Sequence, residues 1–234
     1  WQLDPSGAKA PICLTQGHGR AHELRFRYQR LVSDERAIDP SAPIFLSAFD
    51  SKTKASGFYV LEPPTKEKAG ASQKRPDKGV NKATPASLRR LIMLDEQLAG
   101  LRKSRDTDQV LFTRSTFRKC PDLWSSNTDF QEIRRVSDMN PHQVNYTWGD
   151  AELVHWQSAD GQDLDGILLK PDGFDPAKQY PMMVYFYERN SDNLHRYYPP
   201  AAGRSIICHS FYVSRGYLVF IPDIPYQTGE PGPS

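Results

Sequence analysis

The first 140 residues carry their apolar positions in short runs that are separated by turn residues. One run, Trp1–Asp4, precedes the turn Pro5-Ser6-Gly7, and a second run, Ile12–Thr15, follows it. Runs of this length, bounded by Gly, Pro, Ser and Asp, are typical of β-strands joined by tight turns. The pattern therefore predicts β-hairpins rather than long helices in this part of the chain.

The hairpin pattern returns twice further along. Similar starts at Phe58 and Leu123 lie 57 and 65 residues after the preceding start. Repeated hairpin units with a period of about 40–50 residues are typical of β-propeller blades, and insertions account for the excess. Ile44–Asp50 and Val110–Thr113 then supply inner strands. The pattern alone leaves a β-sandwich open as the alternative.

A long insertion separates Phe58–Glu62 from its predicted return strand, Leu91–Asp95. Residues 62–86 are rich in lysine and proline and poor in apolar side chains. Such a segment buries too little apolar surface to fold on its own. We expect an exposed surface loop, with a basic partner-binding segment as the alternative.

The pattern changes near Asn140. Ala151–Ser158 alternates between apolar and polar residues and Leu164–Leu169 runs back, which predicts a hairpin. The apolar run Met182–Tyr187 does not alternate, which is typical of a central strand buried on both faces.

A helix is predicted over Ser205–Arg215, and a second buried strand over Tyr217–Pro222. The order strand, helix, strand opens a parallel α/β sheet. The predicted fold class is therefore mixed β and α/β. The pattern predicts β-structure over residues 1–140, as a part of a propeller or as a sandwich, and an unfinished α/β domain over residues 141–234.

Charge and composition exclude several function classes. A formal charge of +2 with scattered basic residues argues against nucleic-acid binding. No apolar run approaches the length of a transmembrane helix, so we expect a soluble chain. Cys13, Cys120 and Cys208 are too few and too far apart for a disulfide framework, although one bridge and one free thiol stay open.

A series of short motifs occurs in order from about residue 110 to the last residue. They are Phe112-Thr113-Arg114-Ser115, Pro121-Asp122-Leu123-Trp124, Arg135-Val136-Ser137-Asp138, Glu152-Leu153-Val154-His155-Trp156, Gly166-Ile167-Leu168-Leu169-Lys170-Pro171 and Gly173-Phe174-Asp175-Pro176. The series resembles the prolyl oligopeptidase family of serine peptidases, on its dipeptidyl peptidase IV and acylaminoacyl peptidase side. The resemblance implies that residues 1–140 are C-terminal blades of a β-propeller and that residues 141–234 are the N-terminal part of an α/β-hydrolase domain, with a peptide as substrate.

The family hydrolyses peptides with a Ser–His–Asp triad, whose serine lies in a Gly-x-Ser-x-Gly turn. No such motif occurs in these 234 residues, and in the family it follows the segment at which this sequence stops. The resemblance therefore implies an internal segment that is inactive alone and packs against the remainder of its own hydrolase domain.

The resemblance also implies one catalytic residue. Members on the dipeptidyl peptidase IV side carry a tyrosine after the first buried parallel strand, and its hydroxyl helps to form the oxyanion hole. Tyr187 falls at that place, although Glu188-Arg189-Asn190 replaces the small turn that often follows. A plain strand-end tyrosine is the alternative. Asp223 resembles the family's aspartate at the end of the next strand.

The segment Asn193–Pro200 combines aromatic, cationic and proline residues soon after Tyr187. We expect His195, Arg196 and Tyr198 to line a cavity between propeller and hydrolase, where they bind a substrate carboxylate or ring. A packed interdomain loop is an equal alternative.

Two further patterns are rejected as sites. His18 and His22, near Cys13, lack an evident fourth zinc ligand in a region predicted as strand and turn. Cys208 and His209 are adjacent on a predicted helix, so their side chains diverge and cannot form a nucleophile–base pair. No metal or cofactor is expected.

Two other functions stay open, namely a non-catalytic propeller that binds a partner and a hydrolase that acts as an esterase. The sequence leaves the cellular compartment and a homo-oligomeric state undecided. We expect the isolated chain to be poorly stable, because it exposes unpaired sheet edges.

Overall fold

The computed structural model describes residues 6–225, except for 33, 35–36, 40, 64–86 and 202–206. The described residues form three four-stranded sheets and a few short helices. None of the described helices is long and apolar enough to span a bilayer. The predicted strand Trp1–Asp4 and nearly all of the 62–86 insertion lie outside the described residues.

The first sheet is an antiparallel meander that follows a short helix, α1 (His18–Ala21). Its strands are β1 (Leu24–Tyr28), β2 (Ile44–Asp50), β3 (Ser56–Glu62) and β4 (Ser87–Leu94). The predicted pairing across the insertion is confirmed, because β3 and β4 are antiparallel with Phe58 opposite Ile92.

The second sheet repeats this design. Its strands are β5 (Gln97–Lys103), β6 (Gln109–Ser115), β7 (Asp122–Asn127) and β8 (Arg134–Arg135). Phe58 of β3 meets Phe112 of β6 and Phe130, which lies between β7 and β8, and the centroids of the three ring pairs are 5.2–6.1 Å apart. Because all three rings are buried, this cluster joins the two meanders into one hydrophobic core.

The third sheet mixes strand directions. After a 3₁₀ helix (Pro141–Asn145) come β9 (Asp150–Gln157), β10 (Asp163–Lys170), β11 (Met182–Val184) and β12 (Leu218–Pro222). A 3₁₀ helix (Ser191–Asn193) and the helix α2 (His209–Val213) lie between β11 and β12. The spatial order is β11-β12-β10-β9, in which β11 and β12 are parallel and the other pairs antiparallel.

Three sequence predictions need correction. Ile12–Thr15 is a bridge and a turn rather than a strand, and α2 covers only part of the predicted helix Ser205–Arg215. The run Met182–Tyr187 forms a three-residue edge strand, with Met182 and Val184 about half exposed. Its apolar run therefore does not lie in the centre of this sheet. Strands β1 and β5 were not predicted.

Trp148 and Arg118 provide contacts that hold the third sheet against the second. The indole Nε1 of buried Trp148 donates to the carbonyl of Phe117 at 2.7 Å. Arg118 binds Asp150 and Asp172, and these hydrogen bonds raise the pKa of the guanidinium against the opposing effect of burial. Since Trp148 and Phe117 belong to the same core cluster, the contact is both apolar and hydrogen-bonded.

A buried lysine links the third sheet to the first. Lys54, in the turn between β2 and β3, is 2% exposed. Its Nζ donates to the carbonyl of Ser51 at 2.7 Å and to Oδ2 of Asp165, on β10, at 2.8 Å. A desolvated ammonium is costly unless it is paired and hydrogen-bonded, so the turn must dock on β10.

Asp165 also binds His155, whose Nδ1 lies 2.7 Å from Oδ1. Burial raises the pKa of Asp165, but the hydrogen bonds from Lys54 and His155 outweigh burial and hold the pKa below its usual value. The carboxylate is therefore charged at neutral pH and available to neutralise the buried lysine.

Replacing Lys54 by methionine keeps the aliphatic stem and removes the ammonium. We expect Lys54→Met to lower the free energy of unfolding by about 2 kcal/mol, somewhat less than loss of a fully buried partner costs. The reason is that Asp165 keeps 27% exposure and its contact with His155. Urea denaturation followed by tryptophan fluorescence measures the change.

The matched control is Lys52→Met in the same turn. Lys52 is 73% exposed and pairs with Glu23 at the surface. Its replacement should change the free energy of unfolding by less than about 1 kcal/mol. Equal losses for the two variants would contradict the role of the buried ion pair.

Candidate functional site

A cleft of about 340 Å³ lies between the first two sheets and the segment that follows β11. The sheets contribute one wall and the 3₁₀ helix with its C-terminal extension contributes the other. The lining residues are Arg25, Arg27, Ser47, Ala48, Phe49, Lys54, Ser56, Gln97, Leu98, Asp192, Asn193, His195 and Arg196. This cleft brings cationic side chains together with a few neutral polar and apolar groups.

Two of the cations in the cleft are neutralised. Arg25 Nη2 donates to Oδ2 of Asp192 at 2.6 Å, and its guanidinium lies 4.5 Å from the centroid of the Phe49 ring. Lys54 is neutralised by Asp165 and lies 3.8 Å from Asp192. The contacts of Arg25 and Lys54 with Asp192 run from the first meander to the 3₁₀ helix Ser191–Asn193 and therefore fix the width of the cleft.

The loop between β11 and the 3₁₀ helix is held by Asp223, directly after β12. Its buried carboxylate accepts hydrogen bonds from the backbone N–H of Asn190 at 2.6 Å and of Ser191 at 2.8 Å. The Ser191 hydroxyl donates to its other oxygen at 2.5 Å. Since both parallel strands end here, Asp223 fixes the backbone at the carboxyl edge of the sheet, where α/β proteins bind ligands.

Tyr187 lies in this loop and is 65% exposed. Its carbonyl accepts a hydrogen bond from the side chain of Asn190, and the next residue, Glu188, has a positive φ of 52°. Within the described part of the chain, the Tyr187 hydroxyl has no hydrogen-bond partner. An unengaged hydroxyl on an anchored loop can donate to an incoming group.

The other predicted site residues divide between cleft and core. His195 and Arg196 line the cleft, whereas Tyr198 packs against the core. The Tyr198 ring lies 4.4 Å from that of His209 and 6.3 Å from that of Phe117. The structure therefore brings together only two of the three residues in one cavity.

His195 connects the cleft to the turn between β4 and β5. Its Nε2 lies 2.9 Å from Oδ1 of Asp95, although the geometry is not that of a hydrogen bond. Burial lowers the pKa of His195, and the nearby Asp95 opposes this effect without cancelling it. At neutral pH the imidazole is therefore predominantly neutral.

The two patterns that were rejected as sites, His18 with His22 and Cys208 with His209, both lie at short helices. His18 and His22 lie at the two ends of α1 with ring centroids 4.2 Å apart, so the helical spacing exists although the region was predicted as strand and turn. The described residues contain no group of three or more side chains that could hold a metal ion. Cys208 precedes α2 and its sulfur lies 3.8 Å from the Ser210 hydroxyl.

Sequence reasoning missed the residues that build the sheet wall of the cleft. Arg25 and Arg27 lie on an unpredicted strand, and Lys54 lies in a polar turn where lysine is ordinarily solvated. The alternation of Arg25, Phe26 and Arg27 was the available signal for β1, because it places both arginines on one face. No sequence signal marks Lys54 as buried.

Comparison with solved structures shows a shared fold. The chain is similar to Porphyromonas gingivalis dipeptidyl peptidase 4, with a TM-score of 0.54 and 16% identity over 85% of this chain and 24% of that chain. Leishmania major oligopeptidase B gives a TM-score of 0.48, with 13% identity and coverage of 79% and 23%. Pyrococcus horikoshii acylaminoacyl peptidase gives 0.47, with 13% identity and coverage of 77% and 23%.

The first of these structures shares the fold of the described residues. The chain spans about a quarter of the length of that dipeptidyl peptidase. No family model and no curated protein matches the sequence.

His209 provides a pH-dependent test of the packing behind the cleft. The residue is 4% exposed, and its Nε2 has no hydrogen-bond partner in the described part of the chain. Burial, with a smaller effect of Arg196, lowers the pKa of His209 to about 4. Unfolding returns the pKa to about 6.5, so the unfolded chain binds more protons between these values.

We therefore expect the protein to lose stability as the pH falls from 6.5 to 4. The His209→Leu variant should lose about 3 kcal/mol less over this interval, because it has no buried imidazole to protonate. Urea denaturation at several pH values measures the difference. His142→Leu, at an exposed position, is the matched control, and parallel curves for wild type and His209→Leu would refute the assignment.

Proposed function

We propose that this chain is the junction of a serine peptidase of the prolyl oligopeptidase type. Residues up to about 140 contribute the last blades of its propeller, and residues from 141 contribute the first strands of its α/β-hydrolase domain. The observation that carries the proposal is the shared fold with dipeptidyl peptidase 4 over 85% of the chain. Two antiparallel meanders followed by a sheet with a parallel pair agree with this division.

The free edge of β11 supports a continuation of the sheet. Met182 and Val184 are about half exposed and Phe186 is 63% exposed. An apolar edge strand with unpaired backbone groups is a template for another strand. The rest of the hydrolase domain is the partner that we propose for this edge, and that segment brings the catalytic serine, since the present sequence has no Gly-x-Ser-x-Gly turn.

Within such a peptidase, Tyr187 is the proposed oxyanion donor. It follows β11 on the loop that Asp223 anchors, its side chain is exposed, and its hydroxyl is unengaged in the described residues. A donor aimed at the developing oxyanion contributes about 2.7–4 kcal/mol to transition-state stabilisation. The loop geometry limits its motion, because two backbone N–H groups are tied to one carboxylate.

The substrate proposed for the complete enzyme is a short peptide. The cleft is next to the loop that Asp223 anchors, because Asp192, which lines the cleft, directly follows Ser191. His195 and Arg196 extend the same wall and are the proposed substrate contacts. Tyr198 is better placed to support them from the core than to touch a substrate.

A serine-directed fluorophosphonate probe tests the proposal. We expect no label on the 234-residue chain, read by intact mass, and a single label on a polypeptide in which the rest of the hydrolase domain continues this sequence. Peptide turnover should accompany the label, whereas ester turnover without peptide turnover would favour an esterase.

The heat-denatured polypeptide is the control for non-specific labelling. A stoichiometric label on the present chain would contradict the absence of a nucleophile. An unlabelled longer polypeptide would contradict the peptidase and leave a binding module.

A further inference from the structure

Two arginines in the cleft have no acidic partner among the described residues. Among the described lining residues, Asp192 is the one acid, and it is engaged by Arg25. Arg27 extends from β1 and is exposed, and no ion pair or hydrogen bond holds its guanidinium in the described part of the chain. The sheet wall of the cleft therefore carries one positive charge that no described side chain neutralises.

Arg196 supplies a second such charge from the opposite wall. Its guanidinium lies 5.3 Å from the centroid of the Tyr198 ring, a contact that orients the group without neutralising it. Tyr198 is itself packed against the core, so it provides a fixed support. The two guanidinium groups thus belong to walls that are held together by the contacts of Arg25 and Lys54 with Asp192.

The remaining lining suits a peptide. Ser47, Gln97 and Asn193 offer hydroxyl and amide groups, which can hydrogen-bond to peptide N–H and C=O. Phe49 and Leu98 offer apolar surface for an aliphatic side chain. A volume of about 340 Å³ lies within the range of small-ligand pockets.

We infer that the cleft binds the carboxylate of a peptide between Arg27 and Arg196. Guanidinium groups match carboxylates in geometry and make charge-assisted hydrogen bonds to both oxygens. The peptide part of this inference rests on the proposed function, whereas the carboxylate part rests on the two arginines alone. The carboxylate belongs either to the C-terminus of the peptide or to an Asp or Glu side chain.

The test is calorimetric titration of the 234-residue chain with three N-acetylated tetrapeptides. Tetra-alanine with a free C-terminus carries the terminal carboxylate, and its amide carries none. The amidated peptide with glutamate as third residue carries only a side-chain carboxylate. We expect one or both acids to bind at least tenfold more tightly than the neutral amide, and the preference to shrink when salt is raised.

Arg27→Gln and Arg196→Gln should each weaken binding of the preferred acid about tenfold, the change in affinity expected when one charge-assisted hydrogen bond is lost. Arg134→Gln removes the same charge from an exposed position on β8 and should leave affinity within twofold. Arg27→Lys and Arg196→Lys retain the charge and should recover part of the affinity. Urea midpoints confirm that each variant is folded.

The outcomes separate this inference from the proposed function. Equal binding of acids and amide, or equal losses for Arg27→Gln and Arg134→Gln, would overturn the carboxylate site while leaving peptide binding intact. Glutarate, a dicarboxylate with no peptide bond, is titrated as well. If glutarate binds and none of the three peptides does, the result supports the carboxylate site and contradicts the peptide substrate. Tighter binding of inorganic phosphate than of either acid would overturn the assignment to a carboxylate.

Discussion

Burial of the Lys54 ammonium is the constraint on which the arrangement of the sheets depends. An ammonium that is 2% exposed has lost nearly all its hydration, and that loss is tolerable only with a charged partner and a further acceptor. Asp165 and the Ser51 carbonyl supply them. Because Asp165 lies on β10 and Lys54 in the first meander, the pairing fixes the propeller-like part against the mixed sheet.

The same contact continues into the cleft through a short series of hydrogen bonds. The carbonyl of Asp165 accepts from the backbone N–H of Asp223 at 2.8 Å, and the Asp223 carboxylate holds the backbone and hydroxyl of Ser191. The next residue, Asp192, binds Arg25 on β1. The series returns to the first sheet, so both cleft walls and the Tyr187 loop are fixed by one closed network.

Local patterns in the sequence predicted most of the strands, whereas the geometry of the site depends on contacts between residues that are far apart in the sequence. Alternation was enough for the hairpin of β9 and β10, and the apolar run was enough for Ile44–Asp50. The apolar run Met182–Tyr187 did not predict an edge strand, because apolar composition indicates burial and does not give the position of a strand in a sheet. Lys54 was unpredictable, since its partner lies 111 residues away.

We propose that Tyr187 stabilises the oxyanion in a serine peptidase. Steady-state kinetics of Tyr187→Phe, in the polypeptide that carries the serine, test it most directly, with the exposed Tyr146→Phe as control. We expect kcat of Tyr187→Phe to fall about 100-fold or more while KM changes little. A kcat within twofold of wild type, matching the control, would contradict it.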